Sequence, residues 1–183
     1  YMPSIMRDFP EFHYDEMKSR AENVLTSYLQ SITKQNPALL SEGTRELKEQ
    51  LRLRLEMLQN QSQKESFENI HIHRTEIHQY RKQRGRQSIV LQTAVEYFHA
   101  LKENGKVIRG SEEHKEQAKY NVELVYIQDQ DMIENQEDAG LGLNCPNCGA
   151  PLPGLGAKKC IYCDTPIVEY NLRVWNFSRV EEV

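Results

Sequence analysis

The chain contains no run approaching the roughly 20 apolar residues that cross a bilayer, and no apolar core of a secretory signal. It begins Tyr1-Met2, which reads as a piece of a longer chain, so an anchor or further domain upstream of Tyr1 is an expectation. Cysteine is missing from residues 1–144 and from 164 onward, since all four cysteines lie between 145 and 163. That crowding argues against a secreted, disulfide-stapled protein, whose cysteines would be spread over the fold. The sequence has no surplus of cations either: 23 Lys and Arg stand against 27 Asp and Glu, a net charge of -4. That balance argues against a surface coated for phosphate binding and does not exclude a local basic patch. No internal repeat is visible.

What is present suffices for one ordinary domain and a small module. Of the 183 residues, 38% are apolar, enough for a core, and 27% are charged. Residues 8–36 read as a long helix, with Asp8 and Pro10 as start signals and Glu11, Asp15 and Glu16 in the early turns. Met17, Ala21, Val24, Leu25, Tyr28, Leu29 and Ile32 recur at steps of three and four, giving one apolar stripe. Asn36-Pro37 ends it. A second helix is expected over about 38–60, with Leu47, Leu51, Leu55 and Leu58 on one face and Arg45, Glu46, Lys48, Glu49 and Arg52 on the wet side.

The period then changes to two. In 66–81, Ile70 and Ile72 alternate with His71 and His73. In 86–103, Ile89, Leu91, Val95 and Tyr97 alternate with Gln92, Ala94 and Glu96, and Asn104-Gly105 is a turn signal. Tyr120, Val122, Leu124 and Tyr126 share a face in 118–128. A last strand over about 168–180 includes Leu172, Val174, Trp175 and Phe177. Strands that follow the helices as a block imply an α+β class with a curved four-stranded antiparallel sheet.

Residues 129–139 hold five carboxylates and no cation, the composition of a solvated linker, which we extend to 143. The module over 144–167 follows. Cys145-Pro-Asn-Cys148 and Cys160-Ile-Tyr-Cys163 are two Cys-x-x-Cys pairs separated by eleven residues. Two such knuckles converge four thiolates on one ion in a closed tetrahedral site, which predicts one structural Zn²⁺ held by Cys145, Cys148, Cys160 and Cys163. Four sulfur ligands leave no open position for catalysis. The expected architecture is a discontinuous domain, 8–128 plus 168–180, with the zinc ribbon inserted before the last strand. Thiolate ligands place it in a reducing, cytoplasmic compartment.

The stretch ALLSEGTRELKEQLRLRLEMLQNQ, the strand start SFENIHIHRTEI, the ribbon CPNCGAPLPG and the closing VWNFSRVEE together resemble a known family. It is the C-terminal domain of the mitochondrial import-motor tether (translocase subunit forty-four-like) and its bacterial relatives, with Trp175 matching the Trp-led final strand. The resemblance covers about residues 8–180. It implies a nuclear-transport-factor-two-like α+β cone and a non-enzymatic binding or tethering domain, often membrane-associated. The wider fold also includes isomerases and dehydratases with an acid or base in the cone's pocket, so fold alone does not choose.

Other candidates have a bland reading beside the functional one. His71 and His73, at i and i+2, could form a metal pair, but a solvated strand face accounts for them. His99 near Tyr97 could line the cone, and a structural role is preferred there too; the cone-enzyme reading stands lower because no acid–base pair is visible in the sequence. Arg81, Lys82, Arg84 and Arg86 surround Gly85 at a hairpin tip, a candidate contact for an acidic protein partner or an anionic membrane surface. Nucleic acid, the third reading, is disfavoured because the ribbon is neutral.

Overall fold

A computed structural model of the chain describes residues 1–127 and 175–183. Three helices come first: α1 (Met2–Asp8), α2 (Tyr14–Lys34) and α3 (Arg45–Asn60), with a 3-10 turn at Pro37–Leu39. Five antiparallel strands follow: β1 (Gln63–Gln83), β2 (Arg86–Glu103), β3 (Lys106–Gly110), β4 (Glu116–Ile127) and β5 (Trp175–Glu182). The α+β class holds, with helices N-terminal and the sheet antiparallel, but the sheet has five strands rather than four.

The long first helix expected over 8–36 begins only at Tyr14, and a short helix that the sequence reading did not foresee, α1, precedes it. Asp8 closes α1 instead of opening α2, and α2 starts at Tyr14 behind His13. The break follows from the aromatics in the gap. Phe9 and Phe12 stack edge-on against Trp175, with ring centroids 4.8 and 5.6 Å apart, and Phe9 also meets Tyr126 at 4.8 Å. A continuous helix through Pro10 could not turn both rings onto that site. The apolar stripe of α2 is otherwise as read, since Met17, Ala21, Val24, Leu25, Tyr28, Leu29 and Ile32 are all buried. Gln35, in the left-handed region at φ 54°, ends the helix.

The second helix begins later than expected, at Arg45. Thr44 is its N-cap, accepting from the Leu47 amide at 3.2 Å, while its own amide donates to the Phe177 carbonyl at 2.9 Å. Leu47, Leu51 and Leu58 are buried, and Leu55 packs at the margin.

β2 matches its sequence bounds, and Asn104-Gly105 makes the expected turn. Both residues have positive φ, 52° and 78°, as a type I′ hairpin turn requires. β3, which the sequence reading missed, pairs with the last residues of β2. Its Val107 and Ile108 are exposed, so it carries no buried alternation to recognise. β4 pairs with the earlier part of β2, from Arg86↔Ile127 to Tyr97↔Glu116, so β3 and β4 share one side of β2 in succession.

Register shifts explain where side chains point. β1 has three, between Glu68 and His71, Ile72 and Arg74, and Ile77 and Gln79, each adding one residue to β1 relative to β2. The inward positions therefore step by two within each stretch and by three across each bulge: Glu65 and Phe67, Ile70 and Ile72, Thr75 and Ile77, then Tyr80. Bulges of this kind bend and twist a strand. β5 uses the same device at Ser178, so that Trp175 and Phe177 face the core before the bulge and Val180 after it. Arg20 of α2 ties the layers together. Its guanidinium grips Glu42 with two bonds, donates to the Trp175 carbonyl at 3.1 Å and lies 5.4 Å from the Phe177 ring centroid.

Candidate functional site

The bulged start of β1 and the inward parity of β2 bring Glu65, Phe67, Tyr97 and His99 to one end of the sheet. α2 and α3 cover them with Tyr28, Gln50 and Arg54, and β3, β4 and β5 supply Arg109, Glu116, Tyr120 and Glu182. Together they line a cavity of about 530 Å³. β3 comes against β2 closely here because Gly110, at φ 77°, has no side chain. A Cβ at that position would sit 2.1 Å from the His99 carbonyl oxygen. The Ser111 amide donates to the same oxygen at 2.7 Å.

Glu65 is the most deeply placed carboxylate among the described residues. It is 6% exposed and bridges two cations. One oxygen accepts from the Arg54 guanidinium at 2.5 and 3.1 Å, and the other is 2.7 Å from His99 Nε2. The second imidazole nitrogen, Nδ1, lies 2.9 Å from Glu116 Oε1, and the ring stacks on Phe67 with centroids 4.8 Å apart. Burial opposes charge on His99, but the Glu65 hydrogen bond and the fields of Glu65 and Glu116 outweigh it, so its pKa is raised. Burial likewise opposes ionisation of Glu65, and His99 and Arg54 overcome it, holding the carboxyl below its usual range. The ring thus lies between two carboxylates, a setting that favours its protonated form.

Three phenols complete the cavity. The Tyr97 and Tyr120 hydroxyls are 2.7 Å apart, and Gln50 Nε2 donates to the Tyr28 hydroxyl at 2.9 Å. Burial pushes Tyr97 up to about 12, and it raises Tyr28 and Tyr120 as well. All three stay neutral donors across the physiological range.

The sequence reading placed His99 near Tyr97 with no acid–base partner visible. The structure corrects this by bringing Glu65 and Glu116 to its two nitrogens. Neither carboxylate stands near His99 in the chain, so no spacing could announce them. His71 and His73 do share a face, with ring centroids 4.9 Å apart. His73 Nε2 is 3.3 Å from Glu96, whose carboxyl is held low because the contacts with His73 and Lys115 outweigh desolvation. Both histidines are exposed. Among the described residues no group of three or more His, Cys, Asp or Glu converges as a metal site. Cys145, Cys148, Cys160 and Cys163 lie outside the described residues, as do the acidic linker, Leu172 and Val174.

The four cations at the β1–β2 tip divide into two pairs. Lys82 Nζ is 2.5 Å from Asp8, which also accepts from the Tyr80 hydroxyl at 2.7 Å, and the lysine with that hydroxyl holds the Asp8 carboxyl down to about 2. Arg86 reaches Glu123 at 3.4 Å and Glu46 at 3.8 Å. Arg81 and Arg84 are exposed and have no ion-pair partner among the described residues.

No helix among the described residues is long and apolar enough to cross a membrane. No protein-family model matches the chain, and no curated protein matches it.

Proposed function

We propose that this chain is a non-enzymatic binding and scaffolding domain, an α+β cone of the import-motor-tether type whose cavity is a recognition surface. The observation that carries the reading is the double engagement of His99. With Glu65 against Nε2 and Glu116 against Nδ1, both nitrogens face a carboxylate acceptor; this favours the doubly protonated ring, which has no lone pair to accept a proton. Glu65 is equally committed, to Arg54 and His99. Groups so saturated build and hold a polar cavity; they are not poised to move protons. The zinc ribbon on Cys145, Cys148, Cys160 and Cys163 belongs to the same proposal as a second surface, for a protein partner or an anionic membrane. Its spacing supports it.

The competing reading is a cone-fold isomerase or dehydratase, and one observation favours it: a buried histidine and glutamate with displaced pKa values face a cavity. Nitrogen-15 NMR of the His99 ring at pH 7 separates the two. The binding domain requires both ring nitrogens protonated. A neutral ring with one bare nitrogen would overturn it in favour of the enzyme.

A further inference from the structure

The phenols of the cavity carry protons that no acceptor among the described residues takes up. Gln50 is oriented by the Val180 backbone: its Nε2 donates to the Val180 carbonyl at 2.5 Å, and its Oε1 accepts from the Val180 amide at 3.3 Å. That pairing fixes which end of the amide is the donor. The second Nε2 hydrogen goes to the Tyr28 hydroxyl, which is therefore an acceptor there and keeps its own proton for another group. In the Tyr97–Tyr120 pair only one hydroxyl can donate to the other, so one more phenolic proton is spare. Neither spare proton has an acceptor among the described residues. Tyr28, Tyr97 and Tyr120 are 6%, 2% and 4% exposed, and all three line the cavity. Buried donors of this kind favour a ligand that brings acceptor oxygens.

The charges around the cavity limit what that ligand is. Arg54, Arg109 and His99, whose protonated form is favoured, face Glu65, Glu116 and Glu182. Arg54 is occupied by Glu65, and His99 lies between Glu65 and Glu116. Arg109 and Glu182, of opposite sign, have no ion-pair partner among the described residues. A cationic ligand would leave the phenolic protons unanswered. An anion would bring acceptors, but would meet Glu116 and Glu182 with only Arg109 uncommitted. Beside Gln50 and Arg54, α3 also contributes an apolar strip. Leu53 and Met57, one helical turn apart, line the cavity and are 52% and 38% exposed.

We infer that the cavity takes an uncharged amphiphile, whose carbonyl oxygen accepts from Tyr28 and the Tyr97–Tyr120 pair while its aliphatic chain lies along Leu53 and Met57. This deepens the reading of the cavity as a recognition surface and rests on it.

Isothermal titration at pH 7 tests it with three ten-carbon probes below their micelle concentrations: monodecanoylglycerol, decanoate and decyltrimethylammonium. The neutral ester should bind one per chain, about tenfold or more tighter than either ion. Tyr28→Phe and the double variant Tyr97→Phe/Tyr120→Phe, each checked for a cooperative melt, should each weaken it about tenfold. Tyr28→Phe keeps the ring in place, so it remains informative if the double variant fails to fold. One-to-one binding that favours decanoate or the ammonium overturns the ligand class and leaves the recognition surface standing. Ester binding that Tyr28→Phe does not weaken overturns the role of the phenols. Failure of all three probes overturns both this inference and the cavity as a recognition surface.

Discussion

Tyr126 and Trp175 are cross-strand partners in the β4–β5 ladder, with ring centroids 5.2 Å apart, although residues 127–174 separate them in the chain. Phe9 stacks on both rings. Whatever lies between β4 and β5 thus leaves and re-enters the sheet at neighbouring positions, as a hairpin loop does.

Replacing 128–174 by a short Gly/Ser turn should therefore preserve the fold. Loop-closure cost changes slowly with length, so unfolding free energy should shift by about 1 kcal/mol or less. Chemical denaturation with Trp175 fluorescence measures it. Loss of a cooperative transition would show that the deleted residues are part of the core.

The Glu65–His99–Glu116 network should give stability a defined pH window. His99 has a folded pKa above its unfolded value of about 6.5, so its contribution is complete below that pH and disappears as pH rises through the folded value. Glu65 has a folded pKa below its unfolded value of about 4.3, so its contribution is present above that pH and disappears as pH falls through the folded value. Stability should peak between about pH 4.3 and 6.5. His99→Gln should cost about 3 kcal/mol at pH 6, because it leaves Glu65 buried with one partner fewer, and should remove the alkaline slope. Urea titrations from pH 4 to 9 provide the comparison. An unchanged alkaline slope in the variant would assign the window to other groups.

Among the described residues, the tip cations without an ion-pair partner are Arg81 and Arg84, since Asp8 engages Lys82, and Glu46 and Glu123 engage Arg86. Wild type should float with anionic vesicles at low salt and not with neutral ones, and binding should fade as salt rises. Arg81→Ser/Arg84→Ser should abolish flotation without changing the melt. Lys82→Ser should instead act on stability, by loosening α1. Equal flotation of wild type and the double arginine variant would leave the tip as a solvated turn.

Metal analysis of protein purified without chelator should find about one zinc per chain, given the paired Cys-x-x-Cys spacing. Cys145→Ser should lower that occupancy and shift the chelator competition, because one of four ligands is lost. Two disulfides in place of metal would end the zinc proposal.

By itself the sequence determined the features that local chemistry controls. The stripe of α2, the bounds of β2, the Asn104-Gly105 turn and the two-residue alternation around Ile89 and Tyr120 follow from side-chain period and backbone freedom, which operate within a few residues. Only the tertiary structure decided what depends on distant partners. Phe9 and Phe12 pack on Trp175 ahead of α2, so the helix expected from Asp8 begins only at Tyr14. Three bulges in β1, set by pairing with β2, turn Glu65 to the same side as His99, and Gly110 lets β3 close on the His99 carbonyl. Asp8, Glu46 and Glu123 reach the basic tip from three separate elements and engage two of its four cations. Spacing along the chain encodes periods and turns; charge pairing and burial arise where strands and helices far apart in sequence are packed together.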